Sequence, residues 1–279
     1  MSEALQTLSN GLAEVVKASG PAIVRVEARR HTPASGIVWS ADGLIITANH
    51  AIRRDDGITV GLADGQSVAA TLVGRDPTTD LAALQVEASG LLPLPHAADA
   101  DMGVGQFVLA LARPGRTVQA TFGVVSALGD GWRTPMGGQI DRYLQTDVIM
   151  YPGFSGGPLV GANGALLGLN TSGLSQGVSL AIPATTLGGV VEALRAHGRI
   201  RRGYLGVSTQ PVRLPDDAAA AVGQKAGLLV VAVESGSPAA EGGLTLGDTL
   251  LAVGGRAIQR HEDLLAALSG EVVGQKEIV

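Results

Sequence analysis

The chain has 279 residues, of which 46% are hydrophobic and 16% charged, so it has enough apolar content for packed cores and enough length for two domains. A net charge of −5 leaves no basic stripe for nucleic acid or an acidic membrane surface, and we expect neither partner. The absence of cysteine excludes disulfides and thiolate metal sites, and 40 glycines favour a turn-rich, mainly β protein.

The lengths of the apolar segments show whether the sequence contains a membrane span or a signal peptide. No apolar run approaches the roughly 18 residues of a membrane span, so we expect no span. The first residues, Met-Ser-Glu-Ala-Leu, lack the basic and apolar regions of a signal peptide. As written, the chain is therefore expected to be cytoplasmic, or extracytoplasmic if a leader has been removed, and the sequence does not choose between the two.

An amphipathic helix is predicted near the N-terminus. Its apolar residues recur mostly at spacings of three to four, at Leu5, Leu8, Leu12, Val15 and Val16. We expect a helix over 4–18, within an N-terminal segment 1–20.

Short β-branched runs separated by turn residues follow, a pattern typical of an all-β barrel or sandwich. Candidate strands span 23–27, 36–39, 44–47, 59–62, 67–76, 81–86, 107–111, 121–127, 143–146, 158–160, 166–170 and 179–182. Asp42-Gly43 and Asp64-Gly65 are hairpin signals. Threonine before an apolar-periodic run predicts a helix over 183–199 that closes a first domain, 21–198, and residues 199–203 are expected to form a linker.

The segment Tyr151-Pro-Gly-Phe-Ser-Gly-Gly-Pro-Leu159 surrounds one serine with glycines. Glycine permits positive φ and a close approach of the backbone to a substrate. The turn can therefore aim the N–H groups of Gly153 and Ser155 at one point beside the Ser155 hydroxyl, which is the outline of an oxyanion hole. A Gly-Pro loop with an incidental serine has the same composition, so partners elsewhere must decide.

A serine nucleophile needs a base, which is most often a histidine held by a carboxylate. His50 follows an apolar run and is expected at a sheet edge, whereas the other four histidines lie in loop-like or helix-end stretches. On position alone, His50 fits a core histidine equally well. Asp80 precedes an apolar strand and could fix the imidazole tautomer, and Asp76 is its rival, although Asp-Pro more often marks a turn.

The order His50, Asp80, Ser155 is the chymotrypsin-type order, and the residues around each resemble motifs of the HtrA (Deg) family of serine proteases. Thr-Ala-Asn-His-Ala-Ile resembles its T-N-N-H-V-V, Asp-Pro-Thr-Thr-Asp-Leu-Ala-Ala-Leu its D-P-x-x-D-L-A-V-L, and Gly-Phe-Ser-Gly-Gly-Pro-Leu its G-N-S-G-G-P-L. The three motifs lie in order, 30 and 75 residues apart, which makes the resemblance specific. It implies a chymotrypsin-like double β-barrel with His50 and Asp80 on the first barrel and Ser155 on the second.

The same resemblance suggests where substrate specificity arises. In chymotrypsin-like proteases, the residue six places before the nucleophile lies near the base of the specificity pocket, which here is Ile149, followed by Met150. Leu174 and Val178 are candidate walls of that pocket. Apolar side chains offer no counter-charge, so we expect cleavage after Val, Ala, Ile or Leu rather than after Arg or Lys.

Residues 204–279 resemble a PDZ domain, which is a small α+β domain. Its X-Φ-G-Φ loop corresponds to Tyr204, Leu205, Gly206 and Val207, and the N–H groups of Leu205 and Gly206 would capture the terminal carboxylate of a peptide. The peptide would add as a strand beside 207–210, and a polar loop is expected next.

A helix predicted over 261–269 completes the PDZ-like part. Its Leu264, Leu265 and Leu268 could wall the side-chain pocket, although core packing would also explain these apolar positions. The chain ends shortly after the V-G-Q-K segment at 273–276, so the closing strand of the domain is expected to be truncated.

The resemblance implies a serine endopeptidase that hydrolyses unfolded or damaged proteins and binds peptide C-termini at its PDZ domain. The alternative is a catalytically silent PDZ-containing chaperone or adaptor. Neither an HExxH nor a GxxxxGK[ST] motif is present, and no metal or other cofactor is expected. Family members often trimerise through aromatic residues near the N-terminus, but the first 38 residues here contain none, which puts a trimer in doubt.

Overall fold

The computed structural model describes residues 3–30, 32–96, 102–175, 177–200 and 203–268. The chain forms two compact units, residues 1–200 and 201–279. The boundaries predicted for the N-terminal segment, the first domain, the linker and the second domain stay predictions.

Helix α1 (Glu3–Ser19) opens the first unit and leads into a 3-10 turn at Gly20–Ala22. Its Leu12, Val15 and Val16 pack against the hydrophobic core of the unit. Leu5 and Leu8 of the same predicted stripe are 61% and 41% exposed, so only the second half of the stripe is covered.

The first barrel closes six antiparallel strands on themselves: β1 (Ile23–Glu27), β2 (Ala34–Val38), β3 (Leu44–Ala48), β4 (Ile58–Gly61), β5 (Ser67–Asp76) and β6 (Leu81–Val86). Their order is β1-β2-β3-β6-β5-β4. Gly43 and Gly65 turn the β2–β3 and β4–β5 hairpins at φ values of 95° and 91°, as the two Asp-Gly pairs predict. Both β2 and β3 are buried throughout, and each buried Ile or Val contributes about 1.5–3 kcal/mol.

The second barrel begins with β7 (Phe107–Ala112) and β8 (Gln119–Gly129) and, after the short hairpin β9 (Trp132–Arg133) and β10 (Gln139–Ile140), continues with β11 (Tyr143–Thr146), β12 (Pro158–Gly161), β13 (Leu166–Thr171) and β14 (Ser179–Pro183). Its order is β11-β14-β13-β12-β7-β8. Helix α2 (Ala184–His197) follows and ends at Gly198, whose N–H donates to the Leu194 carbonyl at φ 70°. The predicted double barrel is confirmed, whereas the β9–β10 hairpin was not predicted.

The second unit contains β15 (Val207–Arg213), α3 (Asp216–Val222), β16 (Ala226–Val233), α4 (Pro238–Glu241), β17 (Thr249–Leu250), β18 (Ala252–Val253), β19 (Arg256–Ala257) and α5 (His261–Ala267). A sheet in the order β15-β16-β17 packs apolar side chains, including Leu228, Val230 and Leu250, against Leu264 of α5. The polar loop expected after Val207 is wrong, since that stretch continues β15 and then forms α3. The predicted truncated closing strand lies outside the described residues.

Candidate active site and peptide groove

His50 and Asp80 lie side by side at the rim of the first barrel. His50 is not on a strand but in the 3-10 turn Asn49–Ala51 that directly follows β3. Two bonds join the pair, since the His50 N–H donates to Asp80 Oδ1 at 2.9 Å and His50 Nδ1 lies 2.8 Å from Asp80 Oδ2. A buried carboxylate bonded to Nδ1 favours the tautomer that leaves Nε2 free to accept a proton.

Asp80 is held from several sides. It is 4% exposed, and its carbonyl accepts the Asn49 N–H at 2.9 Å. Thr171 Oγ1, at the end of β13 in the second barrel, donates to Asp80 Oδ2. Among the described residues, Asp80 is the one non-glycine with positive φ, at 60°, a sparsely populated conformation that surrounding contacts must maintain.

Gly173 has no side chain, and this leaves room for the His50 imidazole and the Asp80 carboxylate to meet beside it. A Cβ placed on Gly173 would lie 2.5 Å from Asp80 Oδ2 and 2.8 Å from His50 Nδ1, which is closer than Cβ atoms come to other atoms. No side chain fits there without separating the pair.

Ser155 lies in the tight turn between β11 and β12 and is 8% exposed. Its Oγ lies 3.1 Å from Ser172 Oγ and accepts a longer bond, 3.4 Å, from the Ser172 N–H. Within the described part of the chain, no hydrogen bond joins Ser155 Oγ to His50. The serine hydroxyl therefore has Ser172 as its side-chain partner in this structure.

The turn around Ser155 fits tightly against the first barrel. Gly156 has φ 88°, and a Cβ there would lie 2.1 Å from the Ser35 carbonyl oxygen and 2.3 Å from Thr47 Oγ1. The Ser35 N–H donates to the Ser155 carbonyl at 3.2 Å, so β2 binds the turn directly. Glycine is required at 156 both for its conformation and for the contact between the barrels.

Gly153 has φ 93°, and its carbonyl accepts the Ser35 hydroxyl at 2.7 Å. Phe154 is 1% exposed, and its N–H closes the turn onto the Tyr151 carbonyl at 3.0 Å. The N–H groups of Gly153 and Ser155 donate to no acceptor among the described residues. They are therefore available to a ligand, as an oxyanion hole requires.

A cleft of about 400 Å³ opens beside these groups. Its lining residues are Arg29, Thr32, His50, Met150, Tyr151, Pro152, Gly153, Ser155 and Ser172. Of the four residues predicted for the specificity pocket, the structure brings Met150 to the cleft. Ile149 is 60% exposed, Leu174 packs against the core of the unit, and Val178 does not line the cleft. The specificity role of these four residues stays a prediction.

The second unit has its own groove of about 490 Å³ between β15 and α5. All seven residues predicted for peptide binding line it, namely Tyr204, Leu205, Gly206, Val207, Leu264, Leu265 and Leu268. Gly206 has φ 80°, and the N–H groups of Leu205 and Gly206 donate to no described acceptor. The loop thus presents, among the described residues, two N–H donors without an acceptor beside a groove lined largely by apolar side chains.

Two polar pairs flank this groove. The Tyr204 hydroxyl donates to the Glu234 carboxylate, and this bond raises the pKa of the Tyr204 phenol above its usual value. His261, the first residue of α5, lies with Nε2 3.0 Å from the Thr209 carbonyl of β15 and so connects the helix to the strand.

Several residues that shape the active site were not predicted. Ser35, Thr171 and Ser172 contact the Ser155 turn or the predicted triad residues, and Arg29 lines the cleft. The hydroxyl contacts join residues 17 to 118 positions apart, so no local pattern signals them. Asn170 and Thr171, two polar residues at the end of the otherwise apolar β13, were the one local pattern that pointed to a site contact there.

Known families match both units. A trypsin-like peptidase domain matches residues 34–169, and a PDZ domain matches residues 203–277. A probable periplasmic DegP-like serine endoprotease of Ectopseudomonas mendocina (strain ymp) is 38% identical over 248 residues, which cover 87% of this chain and 52% of that protein. Its counterpart in Brucella suis biovar 1 (strain 1330) is 36% identical over 252 residues, with 87% and 48% covered. The chain spans about half the length of these relatives.

Solved structures agree in fold over nearly the whole chain. A variant of the HtrA-type protease AlgW, solved with a tripeptide, is 33% identical with a TM-score of 0.76, and the match covers 95% of this chain and 90% of that one. The serine endoprotease from Yersinia pestis is 30% identical with a TM-score of 0.74, covering 96% and 94%. The chain belongs to the HtrA family of serine proteases.

Proposed function

We propose that the protein is a serine endopeptidase that hydrolyses peptide bonds through an acyl-enzyme. The observation that carries the proposal is the buried Asp80 carboxylate bonded to His50 Nδ1, on the wall of a cleft that also contains Ser155. In this mechanism, Ser155 Oγ attacks the scissile carbonyl carbon while His50 Nε2 takes its proton, and Asp80 stabilises the imidazolium that forms. His50 then returns the proton to the leaving amine.

The developing oxyanion would accept the free N–H groups of Gly153 and Ser155. Water then attacks the acyl carbon, His50 takes a proton from that water, and Ser155 Oγ leaves with the proton. Ser35 supports this step indirectly, because its hydroxyl and N–H hold the carbonyls of Gly153 and Ser155 and so fix the orientation of the turn.

Before the first proton transfer, the Ser155 hydroxyl must exchange partners. It bonds to Ser172 in this structure, so a turn of the Ser155 side chain toward His50 precedes attack. Substrates with Val, Ala, Ile or Leu before the scissile bond remain our expectation, with Met150 as the apolar residue of the predicted set that lines the cleft.

We further propose that the groove of the second unit binds peptide C-termini and that the substrates are unfolded proteins. The free N–H groups of Leu205 and Gly206 supply donors for a terminal carboxylate, and Leu264, Leu265 and Leu268 supply an apolar wall. AlgW has been solved with a tripeptide and with a decapeptide. Peptide or protein ligands are therefore the appropriate first tests.

The relatives are named as periplasmic enzymes, which supports an extracytoplasmic location for a form that carries a leader. Among the described residues, no helix is long and apolar enough to span a membrane. Assembly into a trimer stays a prediction, which light scattering after size-exclusion chromatography can test.

The decisive experiment compares the wild type with Ser155→Ala and His50→Ala on unfolded fluorescent casein. Each substitution should lower the rate by several orders of magnitude, because triad residues act as a unit. A serine-directed phosphonate should label the wild type at Ser155 and label neither variant. Undiminished casein cleavage by Ser155→Ala would overturn the proposal. Relatives named as serine endoproteases favour this function over that of a silent adaptor.

A further inference from the structure

The first-barrel side of the catalytic cleft has a positive charge that the mechanism above does not use. Arg29, two residues after β1, lines the cleft together with His50 and Ser155. Its Nε donates to the Thr32 carbonyl, and it forms no ion pair with any described residue. None of the lining residues is an aspartate or a glutamate.

A second arginine adds to this charge. The Arg53 N–H donates to the Ala28 carbonyl at 3.1 Å, which places the two arginine-bearing segments side by side. Burial lowers the pKa of the Arg29 guanidinium from its usual value, and the positive charge of Arg53 lowers it further. Arg29 remains a cation at neutral pH, half-buried and next to another cation.

The acids near this cluster have other partners or lie at the surface. Glu27 pairs with Arg25 at 2.6 Å, and Asp55 pairs with Arg75 at 2.9 Å. Asp56 is exposed and does not line the cleft. A partly desolvated guanidinium without a counter-charge is the arrangement in which a carboxylate ligand gains most, because the bond is charge-assisted and restores lost solvation.

The position of the segment brings this charge close to the reacting atoms. A Cβ on Gly153 would lie 2.8 Å from the Pro33 carbonyl oxygen, so Pro33, four residues after Arg29, abuts the turn that holds the proposed oxyanion donors. A ligand group that reached Arg29 would belong to a residue within a few positions of the scissile bond.

We propose that Arg29, assisted by Arg53, forms a carboxylate-binding subsite in the cleft, which selects substrates with an aspartate or glutamate close to the scissile bond. The subsite rests on the proposed peptidase function. A free C-terminal carboxylate has the same chemistry, and a short peptide could supply it instead of a side chain.

The test uses quenched fluorescent peptides of one sequence in which a single position, scanned from three residues before to three residues after the scissile bond, is Glu or Gln. Each pair is made with a free and with an amidated C-terminus. For at least one position, wild-type kcat/KM should favour Glu over Gln by about five- to tenfold at low salt, in the amidated peptides as well. This ratio should fall toward one between about 0.05 M and about 0.5 M salt.

Substitutions at Arg29 test whether the preference for Glu over Gln depends on this residue. In Arg29→Gln the Glu/Gln ratio should fall to about one, and in Arg29→Lys, which keeps the charge, it should stay above about threefold. Arg199→Gln removes an exposed arginine outside the cleft and should keep the wild-type ratio. Labelling by a phosphonate reports the active fraction of each preparation, so ratios are compared only between folded enzymes.

The outcomes separate the two proposals. Equal cleavage of Glu and Gln peptides at every position by the wild type would overturn the subsite and leave the peptidase standing. A preference limited to peptides with a free C-terminus would also overturn it, since the terminal carboxylate would then be the ligand. Cleavage of none of the peptides, with no phosphonate labelling, would overturn the peptidase and the subsite together. If Arg29→Gln does not fold, a salt-independent ratio in the wild type would still refute an ionic subsite.

Discussion

Replacing Gly173 by alanine tests whether the His50–Asp80 bond is needed for catalysis. The added Cβ would lie 2.5 Å from Asp80 Oδ2, whereas ordinary contact begins at 3.4 Å, so these atoms must separate by about 0.9 Å. The same Cβ would lie 2.8 Å from His50 Nδ1, so that nitrogen must move away by about 0.6 Å to reach ordinary contact. Both clashes involve side chains of the proposed triad, and the bond between these two side chains is itself 2.8 Å long.

The size of the effect follows from these displacements. Misplacing a catalytic group by about 1 Å costs about 100-fold in rate, and a His without its correctly oriented carboxylate costs about 10,000-fold. We therefore expect kcat/KM of Gly173→Ala to fall by between about 10² and 10⁴, or about 3–5 kcal/mol in activation free energy. Because the imidazole can turn away, the free energy of unfolding should fall by no more than about 2 kcal/mol.

The assay measures kcat/KM on a fluorogenic peptide and thermal unfolding by circular dichroism. Gly188→Ala is the matched control, since Gly188 lies within α2 and a Cβ there meets no atom within 4 Å. It should stabilise the protein by about 0.5–1 kcal/mol through helix propensity and leave kcat/KM unchanged.

Two results would refute the reasoning on Gly173. Wild-type kcat/KM in a folded Gly173→Ala would mean that the imidazole and the carboxylate do not need this contact. A loss of activity accompanied by global unfolding, with Gly188→Ala stable, would mean that Gly173 acts through the fold.

Three further predictions follow from the two units. Ser172→Ala should speed phosphonate labelling of Ser155 about two- to tenfold, because it removes a competing hydrogen bond, while Ser172→Thr should label at the wild-type rate; slower labelling of the alanine variant would contradict this. Gly206→Ala should abolish binding of C-terminal peptides measured by calorimetry, since its Cβ would lie 2.2 Å from Ser237 Cβ at φ 80°, and unchanged affinity would exclude a role for this loop. Ending the chain after Ile200 should lower casein cleavage more than cleavage of short peptides, and an equal loss on both would argue against substrate delivery by the second unit.

Sequence patterns were sufficient for the barrels, whereas the triad roles of His50, Asp80 and Ser155 stay predictions. Strands such as β1, β5, β6 and β11 have the predicted bounds, because apolar runs between turn residues determine them locally. His50 was expected at the end of a strand, and it lies in a 3-10 turn just beyond β3. The short β9–β10 hairpin escaped prediction because each strand has two residues, too few for any periodicity.

Helix α3 shows a different limit. Its residues follow Pro215, begin with Asp216 and Asp217 and continue with four alanines, all of which favour a helix start or a helix interior. The helix buries none of its residues, so the apolar periodicity that predicted α1 and α2 is missing here. The alanines and the two aspartates of the first turn indicate a helix, whereas apolar periodicity alone predicts a loop.

The contacts that organise the candidate active site could not be predicted. They depend on how the end of β13, a strand of the second barrel, lies against the first barrel and the Ser155 turn. Residues 171–173 are consecutive, yet their contacts reach all three positions of the proposed triad: the first bonds to Asp80, the second to Ser155, and the third borders both Asp80 and His50. Because the side chains or backbone of one short segment contact the proposed acid, base and nucleophile, a shift of that segment would alter all three together.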